Sequence, residues 1–222
     1  MAFNLDLIEL PSLVRIDGEQ RFYETPTGEK YPSVTTVLDK TSDKSFLYKW
    51  RARVGEEEAA KITKRAATRG TATHLLCEKL ILNQEYDLRD ERPIGVHLFK
   101  QLEPWLKENV NNIRVSEGSL FSHKLKVAGS VDLVANYRNH QAIIDFKTSL
   151  KTKKREWIEN YFMQAAMYSY MFWEMTGIMH PTLVIAIAVE EENHPQIFVE
   201  NVSDWIDKAR ARCKQYHLTY VN

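Results

Sequence analysis

Two acids and a lysine, Asp132, Asp145 and Lys147, stand in a stretch whose other residues alternate as strands do, from Gly129 to Tyr137 and from His140 to Ser149. If Arg138 and Asn139 form a two-residue hairpin loop, residues facing each other across the strands have numbers summing to 277, and Asp132 faces Asp145. Period two places Lys147 on the face of Asp145 and turns Ile144 and Phe146 to the other face. Opposed residues have Cβ atoms about 5 Å apart, where two like charges at an effective dielectric of about 20 repel by roughly 3 kcal/mol. The repulsion becomes attraction to a shared partner when a hard divalent cation lies between the carboxylates, since such ions take one or two carboxylates together with water and phosphate. A slip of one residue would separate the acids, and the plain alternative is a pair of solvent-facing acids with Lys147 beside one of them. Ile143, Ile144, Val131, Leu133 and Val134 mark both strands as central, where unpaired acids are costly, and this favours the metal site.

Further residues fall into place around this pair. Thr71, His74 and Glu78 share one stripe of a helical segment while Leu75, Leu76 and Leu80 turn inward. His74 alone is as compatible with a structural histidine as with a ligand; Glu78 suits an orienter of the imidazole or a surface pair with Lys79 or Arg65. Gln164 and Tyr168 stand one turn apart on another helix, and Glu117 precedes Gly118 on the strand before the hairpin.

Gly-Ser-Val-Asp132 followed by Ile-Ile-Asp145-Phe-Lys147-Thr-Ser resembles the core of the PD-(D/E)xK nuclease superfamily, and within it the RecB-like exonuclease branch. Arg69-Gly70-Thr71-Ala72-Thr73-His74 looks like the histidine motif of that branch, and Gln164-Ala-Ala-Met-Tyr168 like its Q-x-x-x-Y motif. Tyr31-Pro32-Ser33-Val34-Thr35, followed by Trp50, is similar to the mitochondrial genome-maintenance exonucleases and related phage enzymes. The resemblance implies Mg²⁺ or Mn²⁺ held by Asp132, Asp145 and the Phe146 carbonyl, with His74 and, more weakly, Glu117 as further ligands. It also implies that Lys147 orients the attacking water and that Gln164 and Tyr168 touch the substrate strand.

Lys147, Lys151, Lys153, Lys154 and Arg155 form a run of cations with no acid among them, leaving the proposed site directly. A second cluster runs from Lys49 through Arg51 to Arg69. Both suit a phosphate backbone. Trp50, Tyr48, Phe46 and Trp157 interleave with these charges and could stack on unpaired bases, although each taken singly reads as a core residue.

The elements that must hold these residues follow from periodicity. A hairpin start flanks Thr25-Pro26-Thr27-Gly28; helices are expected over 45–67, broken at Gly70, then over 71–82 and 92–110; strands over 114–121, 124–127, 130–137 and 141–147; a helix over 157–176; strands over 183–189 and 196–200; and a closing helix over 203–216 capped by Ser203. The fold class is α/β, a single domain over 1–222 with a central mixed sheet covered by helices, a mainly helical part over 1–110 and a catalytic core over 111–222. The resemblance makes that core restriction-endonuclease-like.

With 222 residues, 30 Lys+Arg against 30 Asp+Glu and 44% hydrophobic residues, the chain buries a real core, and its zero net charge excludes a bulk polycation. Cys77 and Cys213 make no metal pair or disulfide framework, which suits a reducing, intracellular and cytoplasmic setting and excludes a four-cysteine iron–sulfur cluster. No stretch reaches the ~20 apolar residues of a membrane span, and the first residues lack a signal peptide's pattern. The expectation is a metal-dependent exonuclease on single-stranded DNA, in replication, repair or recombination and alongside proteins of those processes. An endonuclease or resolvase on the same core, or an inactive DNA-binding module, is the alternative.

Overall fold

The structure, a computed structural model, describes residues 2–221. Three short strands, β1 (Val14–Ile16), β2 (Phe22–Glu24) and β3 (Lys30–Pro32), form an antiparallel sheet. The expected hairpin is its β2–β3 half, turned through Gly28 at φ 90°. Ser33 then caps α1 (Val34–Thr41), its Oγ accepting from Thr36 N at 3.0 Å. The helices α2 (Ser45–Val54), α3 (Glu56–Ile81) and α4 (Pro93–Asn109) follow.

The helix break expected at Gly70 falls instead at Gly55, whose φ of 84° lies in the left-handed region that side chains disfavour. Gly70 lies inside α3. A glycine there costs only about 1 kcal/mol relative to alanine, which a 26-residue helix packed along its C-terminal half absorbs.

A five-stranded mixed sheet carries the second half, in the order β4 (Val110–Ser122), β5 (Val127–Tyr137), β6 (His140–Ser149), β7 (Thr182–Val189) and β8 (Gln196–Asn201). Only the β6–β7 pair is parallel, joined by the crossover helix α5 (Glu159–Thr176). The closing helix α6 runs Val202–Tyr220; Asn201 takes the cap position expected for Ser203, which lies inside the first turn. Of the strand expected over 124–127 only Val127 is extended, as the first residue of β5; 123–126 is a turn, where the Glu174 carboxylate gathers Ser122 Oγ at 2.5 Å and the amides of His123 and Lys124 at 3.1 and 3.3 Å.

The apolar residues divide between two layers, by strict alternation along β6 and β7 and with one switch of face on β5 between Val131 and Leu133. On one face Val131, Val134, Ile143 and Ile185 pack with α1, α5 and α6 through Val37, Phe162, Met167, Phe172 and Trp205. On the other, Leu133, Ile144, Phe146 and Val184 pack with α3 and α4 through Leu76, Phe99 and Leu102. Both faces are therefore covered, as the long apolar runs of β6 and β7 require. Arg138 and Asn139, at φ 46° and 67°, make the two-residue turn, and the ladder from Tyr137↔His140 to Leu133↔Ile144 keeps the 277 sum throughout. Among the described residues no helix is long and apolar enough to cross a membrane.

Candidate active site

The β5–β6 ladder ends at Leu133↔Ile144. At the next step, where the sequence sets Asp132 against Asp145, Asp132 Oδ2 instead accepts the Phe146 amide at 2.7 Å. Asp145, 1% exposed, lies on the α5 face with Ile143 and forms an ion pair with Lys147 Nζ. Apart from that ion pair, neither Asp145 oxygen accepts a hydrogen bond.

From the opposite layer α3 brings His74, whose Nε2 lies 3.0 Å from the Phe146 carbonyl oxygen. A carbonyl only accepts, so Nε2 carries a proton and Nδ1 is the ring atom turned toward the acids. Nδ1 lies 3.5 Å from Glu117 Oε1 and 3.7 Å from Asp132 Oδ1, carrying a second proton in the charged imidazole and offering a lone pair once that proton is lost. Glu117 reaches the site from β4 at an irregular step, with φ at 50°. One donor atom from each of His74, Glu117 and Asp132 lies within 4.8 Å of the others. An imidazole and two carboxylates fit a divalent cation with room for water. Asp145 is outside this trio, and the Phe146 carbonyl expected as a ligand is engaged by His74.

Charge and burial pull against each other here. Burial lifts the Asp145 carboxyl to about 6, opposed by Lys147 and reinforced by Asp132. Asp132 is raised for the same first reason, opposed by His74 and Lys147. Burial would lower His74, but Asp132 and Glu117 outweigh it and carry the imidazole up to about 9. Without a cation the site therefore holds a proton on His74 as a substitute positive charge, which a bound divalent ion would displace.

On α5, Gln164 Nε2 donates to Tyr168 Oη at 3.2 Å, and both side chains are buried. Gly129 leaves room for that ring: a Cβ there would sit 3.0 Å from Tyr168 Cε1 and 3.1 Å from Oη. Tyr161, one turn before Gln164, carries no motif of its own; Lys147 Nζ stands 5.1 Å from its ring centroid. The signal was present, since Tyr161, Gln164 and Tyr168 recur on one stripe of the helix.

Several surrounding residues depart from expectation. The buried stripe of α3 is Ala72, Thr73, Leu76, Cys77, Leu80 and Ile81; Leu75 shares the exposed side of Thr71. Glu78 bonds neither His74 nor Arg65 nor Lys79, which pair elsewhere, and burial with the Glu117 charge raises its carboxyl. Arg69 is buried rather than part of a basic face. Arg155 is committed to Glu200 at 2.5 Å, and Arg51 lies 3.8 Å from Glu56. Lys151 lies 3.9 Å from Glu191, Lys153 uses its amide on Gln196, and Lys154 stands over the Trp157 ring. The aromatic residues read singly as core are on the surface: Phe46 is 79%, Tyr48 64% and Trp157 63% exposed, and Trp50 is half-buried. Helix α2 buries none of its residues, and Ala59 is the one buried residue over 56–68.

A mixed sheet with this acid–lysine step at the end of its central hairpin defines a nuclease core. The family model of the PD-(D/E)XK nuclease superfamily matches residues 20–216, and the chain belongs to that superfamily. Its curated relatives include mitochondrial genome maintenance exonuclease 1 of Xenopus tropicalis, 29% identical over 129 residues, and of Mus musculus, 30% over 129. The Homo sapiens protein of that name is 31% identical over 130 residues. Each match covers 55% of this chain and 37–38% of the relative.

Proposed function

We propose that this nuclease is a divalent-metal-dependent exonuclease that hydrolyses single-stranded DNA from a free end, using Mg²⁺ or Mn²⁺ held by His74, Glu117 and Asp132. The observation that carries the substrate is the exposure of Phe46, Tyr48 and Trp157 among cations. These residues stand on segments joined directly to the site's elements: α2 leads through Gly55 into α3, and the Arg155–Trp157 turn links β6 to α5. Aromatic faces turned to solvent match unpaired bases, and the cations match phosphates. The name of the curated relatives supports action at an end. Such a substrate places the protein in DNA replication, repair or recombination.

When bound, the cation polarises the scissile phosphate and lowers the pKa of a water. Asp145 holds the Lys147 ammonium in a fixed place, and the Tyr161 ring covers it. Lys147 thereby presents a preorganised positive charge to the attacking water and to charge developing on the phosphate. The Phe146 amide aims Asp132 so that Oδ1 faces His74. Gln164 and Tyr168 offer an amide and a phenol to the strand. The largely unburied α2 and N-terminal half of α3 form the segment under which a strand passes, which requires a free end.

The test is incubation with end-labelled linear and closed circular single-stranded DNA and with blunt duplex, with and without Mg²⁺ or Mn²⁺. Cation-dependent loss of the linear strand alone is expected. Equal digestion of circles moves the assignment to an endonuclease, and binding without cleavage under either cation moves it to an inactive DNA-binding module.

A further inference from the structure

Arg69 and Glu190 make the most enclosed ion pair away from the acid–lysine step, each side chain 8% exposed. The Arg69 guanidinium meets three groups at once: Nη1 pairs with Glu190 Oε1, Nε donates to Thr148 Oγ1 at 3.2 Å and Nη2 to the Thr148 carbonyl at 3.4 Å. Glu190 stands on a fixed base. Its amide donates to the Ser149 carbonyl at 2.9 Å, His97 Nε2 meets its carbonyl at 3.3 Å, and Gln101 Oε1 accepts from the preceding Val189 amide at 3.0 Å. A Cβ at Gly70 would lie 3.8 Å from Thr148 Oγ1, an ordinary van der Waals distance, so the clamp does not depend on the glycine.

The contacts set a register. Helix α3 touches β6 at two polar points, Arg69 on Thr148 and His74 on Phe146. The step of five residues from Arg69 to His74 on the helix spans about 7.5 Å, and the step of two from Phe146 to Thr148 on the strand about 6.6 Å. The helix therefore lies antiparallel along the strand with both anchors satisfied together. A slide of α3 by even one residue would draw His74 away from Glu117 and Asp132. Thr148 also follows Lys147 directly, so the same clamp fixes the strand end that carries the lysine.

We propose that Arg69 and Glu190 are positioning residues that lock α3 against β6 and so set His74 for the cation and Lys147 for the water. The inference rests on the cation site proposed above, and on the exonuclease reading only in its turnover readout. Removing both charges avoids leaving one buried and unpaired. Arg69→Met/Glu190→Met should therefore melt within a few degrees of the parent. It should nonetheless bind Mn²⁺ about tenfold or more weakly by calorimetry and turn over linear single-stranded DNA about tenfold or more slowly, with KM for DNA nearly unchanged. Arg69→Lys keeps the pair with Glu190 but cannot reach both Thr148 groups, and should lose several-fold in both readouts. A purely structural role makes the double variant, once equally stable, equal to the parent in Mn²⁺ affinity and turnover; that result overturns the clamp. If the double variant does not fold, Arg69→Lys decides by the same readouts, parent-like values counting against the proposal. If the parent cuts no DNA, the functional reading fails and Mn²⁺ affinity still decides this one.

Discussion

The Phe146 amide donates to Asp132 Oδ2 at 2.7 Å one step beyond the last β5–β6 pair, so the backbone of the neighbouring strand aims one acid of the site. This relieves the direct opposition of Asp132 and Asp145 while keeping them in one electrostatic neighbourhood: burial raises both carboxyls, and the Asp132 charge raises Asp145 further. Asp132→Asn keeps an acceptor for Phe146 and removes only the charge. Cleavage should fall to about a few per cent or less, since a cation ligand and its charge are lost. Metal-free melting should stay level or rise, because a raised carboxyl is one whose ionised form is less at home in the fold than in water. Parallel nuclease assays and calorimetric melting check both halves, and residual parent-like cleavage would remove Asp132 from the site.

Lys147→Met separates the ammonium from the ligands. The variant should still bind Mn²⁺ yet lose most turnover, because the lysine acts on the water and the developing charge rather than on the ion. Isothermal titration showing Mn²⁺ affinity lost in step with activity would reassign Lys147 to holding Asp145.

Gly129→Ala probes the α5 side of the site. The new methyl would stand 3.0 Å from Tyr168 Cε1, so the ring must move by a few tenths of an ångström and loosen its 3.2 Å bond from Gln164. Overpacking of this kind costs about 1–3 kcal/mol, and turnover should fall several-fold. In the Tyr168→Phe background the same change should add little to the loss of turnover. Full additivity of the two losses would show that the phenol and Gly129 act independently.

A pH effect should arise far from the acids. His180 is fully buried against the edge of the Phe172 ring, and burial lowers its pKa to about 4. The unfolded chain takes up this proton near 6.5 and the folded chain does not until about 4, so the contribution is present above 6.5 and drains away as pH falls through that window. Its size is about 3 kcal/mol. Denaturant melts of His180→Leu should be flatter between pH 6.5 and 4 than those of the parent, and identical slopes would show that the imidazole is not held neutral.

Much of this was legible because the strands state their own register. A turn of Arg138 and Asn139 and the alternation around it fix the 277 sum, and that sum brings Asp132 and Asp145 to the same end of the hairpin. The end of the ladder at Leu133 was not legible, since nothing in residue order says that a side chain replaces the next backbone pair. Gly70 misled because composition shows a glycine but not its φ; Gly55 takes the left-handed turn and Gly70 lies inside α3. Arg69 and Arg155 read as free cations because their partners, Glu190 and Glu200, lie far along the chain. Tyr48 and Phe46 read singly as core because hydrophobicity reports what a side chain can bury and not whether a partner face exists.

That exposed pair gives the sharpest test of substrate. Helix α2 buries no residue, so Phe46→Ala and Tyr48→Ala should leave melting within experimental scatter. If the rings stack on unpaired bases, each loss should cost about 1 kcal/mol or more of strand binding, seen as a raised KM for linear single-stranded DNA with kcat held. Activity of the parent should also drop steeply from low to moderate salt as phosphate contacts are screened. Lys153→Glu/Lys154→Glu should reproduce the high-salt behaviour at low salt without loss of stability. Arg155→Glu should differ from them: its side chain pairs with Glu200 and lies over the rings of Phe162 and Trp205, so reversal sets two acids together and lowers melting as well. If the aromatic variants bind and cut the linear strand as the parent does, α2 is not a stacking surface, and the path of the strand to Lys147 must lie elsewhere.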